Sequence, residues 1–319
     1  MMKVNDIYEE YINFTPLSLR TRILYHECYN SFWKKIIGNL DTSKIDYNII
    51  QSGINTLLKS YQYNTVKIYK CSILKFLQIV QLKDNIRYSW LNCIYAGKPP
   101  KKKDFDSERE LYEFYELIVY IRNSKTKLKK QYETIMWIGF FTGLRIGETL
   151  ALSKKDINLK RGEIQINKNL TYKKINGKIT PFICTVKTSS GCRVVYIPNK
   201  LKEILSEYLL SSNNMLFTND NGDYIASSTV SSFIWHFAKP RKYNIHYHSL
   251  RILFTKIMLD NNANLDSVRS LLGHANTTTT LNIYLRSCPR DRKNDIDKVF
   301  NSKIFFKQIE GYCKNTVKI

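Results

Sequence analysis

A short basic segment with two prolines divides this chain into two stretches of different pattern. It reads Lys98-Pro-Pro-Lys-Lys-Lys103. Proline breaks a helix and a run of lysines resists burial, so the segment predicts a linker over 98–106. A chain of 319 residues is long enough for two domains that each bury their own core. We therefore expect one domain over 15–97 and another over 107–319, with an N-terminal tail at 1–14.

The stretch before the linker has helical periodicity. Its clearest stripe, after a candidate cap at Asn64, has apolar side chains three or four residues apart: Val66, Tyr69, Ile73, Phe76, Leu77 and Val80. Lys67 and Lys70 fall off that stripe. Lysines in this position usually belong to a solvated helix face, and the helix taken alone favours that reading. Contact with DNA phosphates is the functional alternative, so Lys67 and Lys70 are candidate DNA-binding residues.

The stretch after the linker combines helices with a little β-structure. Alternating patterns predict strands at 163–167, 182–187 and 193–197, and the last two flank a hairpin turn at Ser189-Ser-Gly191. Helices are predicted at 201–210, 228–237, 249–260, 265–272 and 277–285. The fold class expected for the whole chain is mainly α with a small antiparallel β-sheet.

The charge balance points to a polyanionic partner. Lys and Arg number 50 against 27 for Asp and Glu, which gives a net charge of +23. Part of this excess reflects a bias towards Lys, Asn, Ile and Tyr that is typical of A/T-rich coding. Double-stranded DNA is the first candidate. A membrane is not expected, because the sequence has no long apolar run and no secretory signal, and the seven scattered cysteines suggest a reduced, cytoplasmic protein.

Side chains suited to phosphodiester chemistry are concentrated in short motifs. Thr142-Gly-Leu-Arg145-Ile-Gly-Glu148 and His248-Ser-Leu-Arg251 each supply an arginine, and Leu271-Leu-Gly-His274 precedes Tyr284 by ten residues. On a helix, His248 and Arg251 would share one face. Gly273 predicts a helix end, which would leave His274 at an exposed corner.

The two arginines answer the main difficulty of breaking a phosphodiester, which is the charge of the transition state. A guanidinium stays charged and matches two phosphate oxygens at once, so Arg145 and Arg251 suit this task. Because they are far apart in the sequence, only tertiary folding could bring them together. Attack also needs a nucleophile and a proton for the leaving oxygen. This chemistry requires no metal ligand set, and no cofactor is expected.

In their order, spacing and local context, these motifs resemble those of the tyrosine recombinase (phage integrase) family. The resemblance covers most of 105–290, and the helical stretch resembles the family's core-site-binding domain less specifically. It implies a helical core-site-binding domain, then a mixed α/β catalytic domain. The tail at about 290–319 is then expected to contact a neighbouring subunit.

The resemblance also implies a role for each motif residue. Tyr284 would attack the scissile phosphate, forming a 3′-phosphotyrosine link and freeing a 5′-hydroxyl. Arg145 and Arg251 would hold the phosphate, and His248 would exchange a proton beside it. His274 would hydrogen-bond the phosphate or orient the tyrosine.

Two further residues complete the implied site. The family carries a lysine on a β-hairpin as general acid, and Lys187 stands at the matching place, with Lys173, Lys174 and Lys178 as nearby alternatives. Glu148 would support the site from behind Arg145.

Each candidate also has a structural reading. Tyr284 is one of 22 tyrosines and could be an ordinary core or surface aromatic. A lone arginine most often forms a structural ion pair, and His274 could simply cap a helix end. Four motifs in the right order favour the functional readings, whereas His236 and His246 lie outside the assigned catalytic set and are expected to be structural.

The implied function is site-specific recombination by a homo-tetramer on two DNA duplexes that carry specific sites. Lys101, Lys102 and Lys103 would lie along the DNA backbone, and accessory DNA-bending proteins are further candidate partners. The segment before the helical domain is too short for the arm-site domain that many integrases carry, which favours a simple two-domain recombinase such as a chromosome-dimer resolvase or a compact mobile-element enzyme. The alternatives are a type IB-like topoisomerase and a non-catalytic DNA-binding protein of the same fold.

Overall fold

The computed structural model describes residues 2–100, 105–175, 178–185, 191–274, 276, 278, 280 and 281, and at 173–175, 178, 179 and 185 it describes the backbone only. The chain divides into two compact units, Met1–Lys102 and Lys103–Ile319. The boundary between them falls within the segment 98–106.

The first unit is helical throughout its described elements. Its helices are α1 (Val4–Phe14), α2 (Leu19–Cys28), α3 (Lys34–Ile37), α4 (Tyr47–Ser60) and α5 (Tyr63–Asp84). One π-helical turn, Tyr29–Trp33, joins α2 directly to α3. Short 3-10 turns at Thr42–Lys44 and Leu91–Cys93 complete the unit.

The prediction of a tail over 1–14 is wrong, because most of this segment is the helix α1. Its apolar side chains recur every three or four residues and form one buried face: Val4, Ile7, Tyr8, Tyr11 and Ile12. This face packs into the same core as α4 and α5. Burial of so much apolar surface stabilises a helix that is too short to persist alone.

Aromatic rings fill the centre of the first unit. Trp33 is fully buried and its indole Nε1 donates a hydrogen bond to the carbonyl of Tyr69 at 3.0 Å. The rings of Tyr8 and Tyr29 stack with centroids 3.6 Å apart. The predicted stripe on α5 is buried apart from the half-buried Tyr69. The cap predicted at Asn64 is wrong: Gln62 is the extended residue before α5, and its carbonyl accepts the first helical hydrogen bonds.

The second unit contains seven helices and five short strands among its described elements. The helices are α6 (Ser107–Asn123), α7 (Lys129–Thr142), α8 (Ile146–Leu150), α9 (Asn199–Ser211), α10 (Ser227–Arg241), α11 (Tyr247–Asp260) and α12 (Leu265–Leu272). The strands are β1 (Ile157–Asn158), β2 (Glu163–Ile166), β3 (Lys168–Ile175), β4 (Lys178–Thr185) and β5 (Arg193–Tyr196). The helices predicted at 201–210, 228–237, 249–260 and 265–272 are confirmed, and α12 has the predicted bounds. Of 277–285, residues 278, 280 and 281 are described, and they are helical.

The strands form two small antiparallel sheets, and their pairing differs from the predicted hairpin. Strand β4 pairs with β3, whereas β5 pairs with β2, which also pairs with β1. The register places buried Ile164 opposite Val195, so apolar pairing decides the partner of β5. The pairing of β3 with β4 includes Ile175 opposite Lys178, and the dipeptide between them in the sequence, Asn-Gly, is a hairpin signal that the prediction overlooked.

The mainly helical fold with small antiparallel sheets is confirmed. In the second unit, α6, α7, α9, α10 and α11 surround a core to which both sheets contribute side chains. Within the residues that the structure describes, no helix combines the length and the apolar character needed to span a membrane.

Candidate active site

The turn from α7 into α8 presents Arg145. Gly143 ends α7 with a φ of +63°, in the left-handed region that favours glycine. A Cβ at this position would lie 2.7 Å from the side chain of Phe254 and 2.8 Å from that of Leu272, so a larger residue would push two helices away. Arg145 follows in extended conformation as the residue before α8, with a half-exposed side chain.

Arg251 lies on α11 and is 1% exposed. Its Nη1 donates to the carbonyl oxygen of Gly143 at 2.7 Å, and its Nη2 donates to that of Leu272 at 2.6 Å. One guanidinium therefore joins the turn before Arg145 to the end of the helix before His274. These two bonds use two of the five N–H donors of a guanidinium.

Glu148 lies between two arginines and is 3% exposed. Its Oε1 accepts from Arg145 Nη1 at 3.0 Å and from Arg193 Nη1 at 3.2 Å. Its Oε2 accepts from the backbone N–H of Arg145 at 2.9 Å and from Arg193 Nη2 at 2.8 Å. Burial alone would raise the pKa of Glu148, but the hydrogen bonds and charges of Arg193 and Arg145 outweigh it and lower the pKa. The carboxylate is thus held ionised behind Arg145.

The end of α12 positions His274. Gly273 adopts a φ of +65° and ends the helix, as predicted. The prediction that His274 lies at an exposed corner is wrong, since it is 8% exposed. Its backbone N–H donates to the carbonyl of Arg269, which turns the chain back, and its Nδ1 lies 2.8 Å from the hydroxyl of Thr280.

The environment of His274 keeps its ring neutral at neutral pH. Burial and the positive charges of Arg251, Arg145 and Arg193 lower its pKa to about 4. The nearby His248 acts in the same direction on the pKa of His274. His248 is exposed in the first turn of α11.

The other two histidines in this unit occupy structural positions. His246 precedes α11, and its Nδ1 lies 2.9 Å from the carbonyl oxygen of Asn244. His236 is exposed on α10 with its ring against Trp235.

The electrostatic balance of this cluster favours an anion. Three guanidiniums, those of Arg145, Arg193 and Arg251, surround the single carboxylate of Glu148. Burial, followed by the charge of Arg145, lowers the pKa of Arg251 to about 9, so Arg251 remains protonated at neutral pH. Two positive charges stay uncompensated by that carboxylate. A phosphate bound here would relieve their repulsion, and the additional charge of its transition state would be stabilised further.

Comparison with known proteins identifies the family. The model of the phage integrase family matches residues 110–290, more than half of the chain. The chain belongs to the phage integrase family. It is a tyrosine recombinase, an enzyme of the class that transfers DNA strands.

Individual members of this family resemble the chain over most of its length. The integrase of Staphylococcus phage L54a is 24% identical over 302 residues, covering 84% of this chain and 81% of the relative. The Tn1549 transposon integrase, solved in complex with a circular intermediate DNA, has a TM-score of 0.76 at 17% identity and covers 93% and 99% of the two chains. A lambda integrase tetramer bound to a Holliday junction has a TM-score of 0.66 at 13% identity, with coverage of 88% and 77%. The two structures share the fold of this recombinase.

One member of the cluster, Arg193, was missed as a functional residue in the sequence of this recombinase. It opens β5, and buried Val195 in the strand and buried Ile197 just after it follow at alternate positions. A charged residue in phase with buried apolar ones needs a partner inside the protein. That mismatch was the available signal, and Glu148 is the partner.

Several predicted site residues lie outside the described part of the chain: Tyr284, Lys187, Lys101, Lys102 and Lys103. Strand β4 ends at Thr185, two residues before Lys187. In the first unit Lys67 is exposed on α5, and the ammonium of Lys70 donates to the carbonyl of Ile94. Among the described side chains, no group of three or more His, Cys, Asp or Glu is arranged to hold a metal ion.

Proposed function

We propose that this tyrosine recombinase cuts and rejoins double-stranded DNA at specific sites through a covalent bond between Tyr284 and a 3′ phosphate. The observation that supports this best is the contact of Arg251 with both Gly143 and Leu272. It brings three motifs that are distant in the sequence into one cationic site. The family match over 110–290 supports the same conclusion independently.

The arginines would bind the scissile phosphate from two sides. Arg251 is fixed by its two carbonyl partners, so it loses little side-chain freedom when it binds an anion. Arg145 has a half-exposed side chain, and Glu148 accepts hydrogen bonds from both its backbone N–H and its Nη1. Together they would stabilise the charge that builds up on the non-bridging oxygens during attack.

The reaction would keep the energy of the broken phosphodiester in the bond between Tyr284 and DNA, and its protons would move between groups of the site. The phenolic oxygen of Tyr284 would pass its proton to His248 and attack phosphorus, and the bond to the 5′ oxygen would break. Lys187 would give a proton to that leaving oxygen, and His248 would exchange protons beside the phosphate. His274, neutral in the DNA-free protein, would serve as a hydrogen-bond partner. The reverse reaction with a new 5′-hydroxyl would rejoin DNA without ATP.

The DNA partner is supported by charge and by similarity. A net charge of +23 favours association with a polyanion. The similar Tn1549 integrase was solved with DNA bound. In this chain, Lys67, Lys70 and the lysines at 101–103 would contact the backbone, where they add affinity without reading sequence.

Strand exchange would take place in a homo-tetramer on two duplexes, since the similar lambda integrase forms a tetramer on a Holliday junction. Accessory DNA-bending proteins are further candidate partners. Mass measurement of the covalent complexes tests this assembly. Four chains on two duplexes are expected, and exchange products formed by complexes of no more than two chains would contradict it.

The chemistry is tested with a pool of nicked duplexes whose sequence around the nick is randomised. A cut near the nick releases a short fragment and traps the protein on DNA. Covalent adducts are isolated under denaturing conditions, and both the DNA and the modified residue are sequenced. We expect an adduct at Tyr284, enrichment of one DNA sequence, and no adduct with the conservative Tyr284→Phe variant.

Other outcomes separate the alternatives. Equal behaviour of the wild type and Tyr284→Phe in every DNA assay would show a non-catalytic DNA-binding protein. Adducts at Tyr284 without sequence enrichment, together with relaxation of any supercoiled plasmid, would show a topoisomerase instead.

A further inference from the structure

Arg193 contacts two segments that contribute to the cationic site, although it does not belong to the predicted catalytic set. Its Nε donates to the carbonyl of Leu271 at 2.6 Å, three residues before His274. Its Nη1 and Nη2 donate to the two oxygens of Glu148 at 3.2 and 2.8 Å. Nη1 also lies 3.3 Å from the carbonyl oxygen of Gly191. The side chain is 6% exposed, so water competes little for these bonds.

We propose that Arg193 is a positioning residue for DNA cleavage, which holds Arg145 through Glu148 and the His274 segment through Leu271. This inference rests on the proposed cleavage reaction. It assigns Arg193 no contact with DNA.

The sharing of Glu148 explains how Arg193 would act on Arg145. Each carboxylate oxygen of Glu148 accepts one hydrogen bond from Arg193 and one from Arg145. While Arg193 donates two of the four hydrogen bonds that Glu148 accepts, the carboxylate cannot turn wholly towards Arg145. Without Arg193, the carboxylate would be free to pair more closely with Arg145 and draw that guanidinium away from a phosphate.

The second contact explains how Arg193 would act on His274. The carbonyl of Leu271 belongs to the last turn of α12, just before Gly273 reverses the chain. Arg251 holds the next carbonyl, that of Leu272. Two arginines from different elements thus fix consecutive carbonyls, and the position of His274 follows from both.

Arg193 also has a rigid base. It is the first residue of β5 and pairs with Ile166 of β2 in the three-stranded sheet. A planar guanidinium can donate to the carboxylate through two nitrogens and to a carbonyl through the third. A lysine at this position has one nitrogen and could form only some of these hydrogen bonds. A site held in this way by a neighbouring side chain loses about a hundredfold in rate when it shifts by an ångström.

The test uses the duplex captured from the randomised pool and compares wild type with Arg193→Met, Arg193→Lys, Glu148→Gln, the double variant Glu148→Gln/Arg193→Met, and a control. Lys168→Met is the matched control, because it removes a largely buried cation whose ammonium binds Asp156 at 2.7 Å and Ser153 at 2.9 Å, two residues outside the motifs. Three quantities are measured: the single-turnover rate of adduct formation at saturating protein, the affinity for the duplex, and the unfolding temperature.

We expect Arg193→Met to slow adduct formation by about a hundredfold while its affinity stays within about threefold of wild type. Arg193→Lys should recover part of that loss, because it keeps the charge beside Glu148 and loses the fork. Lys168→Met should lower the unfolding temperature and leave the rate of the folded protein unchanged. Arg193→Met leaves the carboxylate of Glu148 without Arg193 and could fail to fold for that reason. The double variant removes this carboxylate as well, so it is expected to fold and still cleave slowly. If neither variant folds, Arg193→Lys should cleave about tenfold more slowly than wild type.

The inference would be overturned if folded Arg193→Met, or the folded double variant, cleaved at the wild-type rate. If Arg193→Lys is the only one of the three that folds, cleavage by it at the wild-type rate would overturn the inference. A rate loss that merely follows a loss of DNA affinity would also overturn it. If wild type forms no adduct with any duplex, the proposed cleavage reaction itself fails, which is a different result from a fast Arg193 variant.

Discussion

The two units bury different kinds of polar side chain. In the described part of the first unit, the buried polar residues carry only hydroxyl groups: Thr15, Thr42 and Ser72. The second unit buries ionisable side chains: Glu113, Glu148, Asp156, Arg193, Arg251, Lys256 and His274. Burial of a charge is costly unless the group is paired, so it persists where a fold or a reaction needs it. In the described part of the first unit, no Asp, Glu, Lys, Arg or His residue is buried as a whole.

Within the second unit, the buried charges differ in how they are satisfied. Lys256 pairs with Asp260 at 3.7 Å on the same helix, and Asp156 pairs with Lys168. Arg251 instead donates to two carbonyl oxygens and lies near two other guanidiniums. The first pattern is sufficient for a folded core. The second leaves positive charge that an anionic substrate can neutralise.

The largest effect is expected from removing Arg251. Arg251→Met should lower the single-turnover rate of adduct formation by about 10²–10³-fold, because a fixed donor to the transition state is lost. Lys256→Met, five residues further along α11 and equally buried, is the matched control. Its folded protein should cleave at the wild-type rate. Equal losses in both variants would mean that buried charge in α11 serves only the fold, and the distinction between the two patterns would be lost.

Local features of the fold could be read from the sequence because they depend on near neighbours. The bounds of α12 and the stop at Gly273 follow from periodicity and from the conformational freedom of glycine. The burial of His274 and its lowered pKa could not be read in this way, since they depend on the contact with Thr280 and on the charges of three arginines from other elements. The partner of β5 was also misjudged, because the choice between β2 and β4 depends on which pairing buries Ile164.

The same contrast applies to the candidate site. The motifs predicted Arg145, His248, Arg251 and His274 as site residues, and the structure brings the segments that carry them together. Motif spacing said nothing of Arg193, whose proposed positioning role rests on contacts with Glu148 and Leu271, which are distant in the sequence. A residue that acts on other residues leaves a weaker mark on the sequence than one that acts on substrate.

A smaller effect is expected from the titration of His274. Its pKa of about 4 in the folded protein lies below the value of about 6.5 for an unfolded chain. The unfolded state therefore binds more protons in this window, and the contribution of His274 to stability is present above about pH 6.5 and lost as the pH falls towards 4. The loss should be on the order of 1–3 kcal/mol in the free energy of unfolding.

Urea unfolding of wild type and His274→Gln across this pH range measures that contribution. The free energy of unfolding of wild type should fall more steeply on acidification than that of the variant. His236→Gln removes a histidine that is exposed on α10 and should leave the pH dependence of wild type unchanged. Parallel curves for wild type and His274→Gln would show that His274 is not held neutral by burial and its cationic neighbours. Bound DNA should weaken the effect, because a phosphate offsets the positive charges around the ring.

The smallest effect is expected in the first unit, where charge is solvated rather than buried. Lys67→Gln should weaken DNA binding only a few-fold at moderate salt and reduce the slope of log affinity against log salt by about 1, the signature of one lost phosphate contact. The cleavage rate at saturating protein should not change. Lys83→Gln removes the same charge from the same helix, but Lys83 already pairs with Glu10 at 2.7 Å, so its slope should match wild type. If Lys67→Gln also kept the wild-type slope, the exposed lysine would be a solvated helix residue, and DNA contact by this unit would have to come from other side chains.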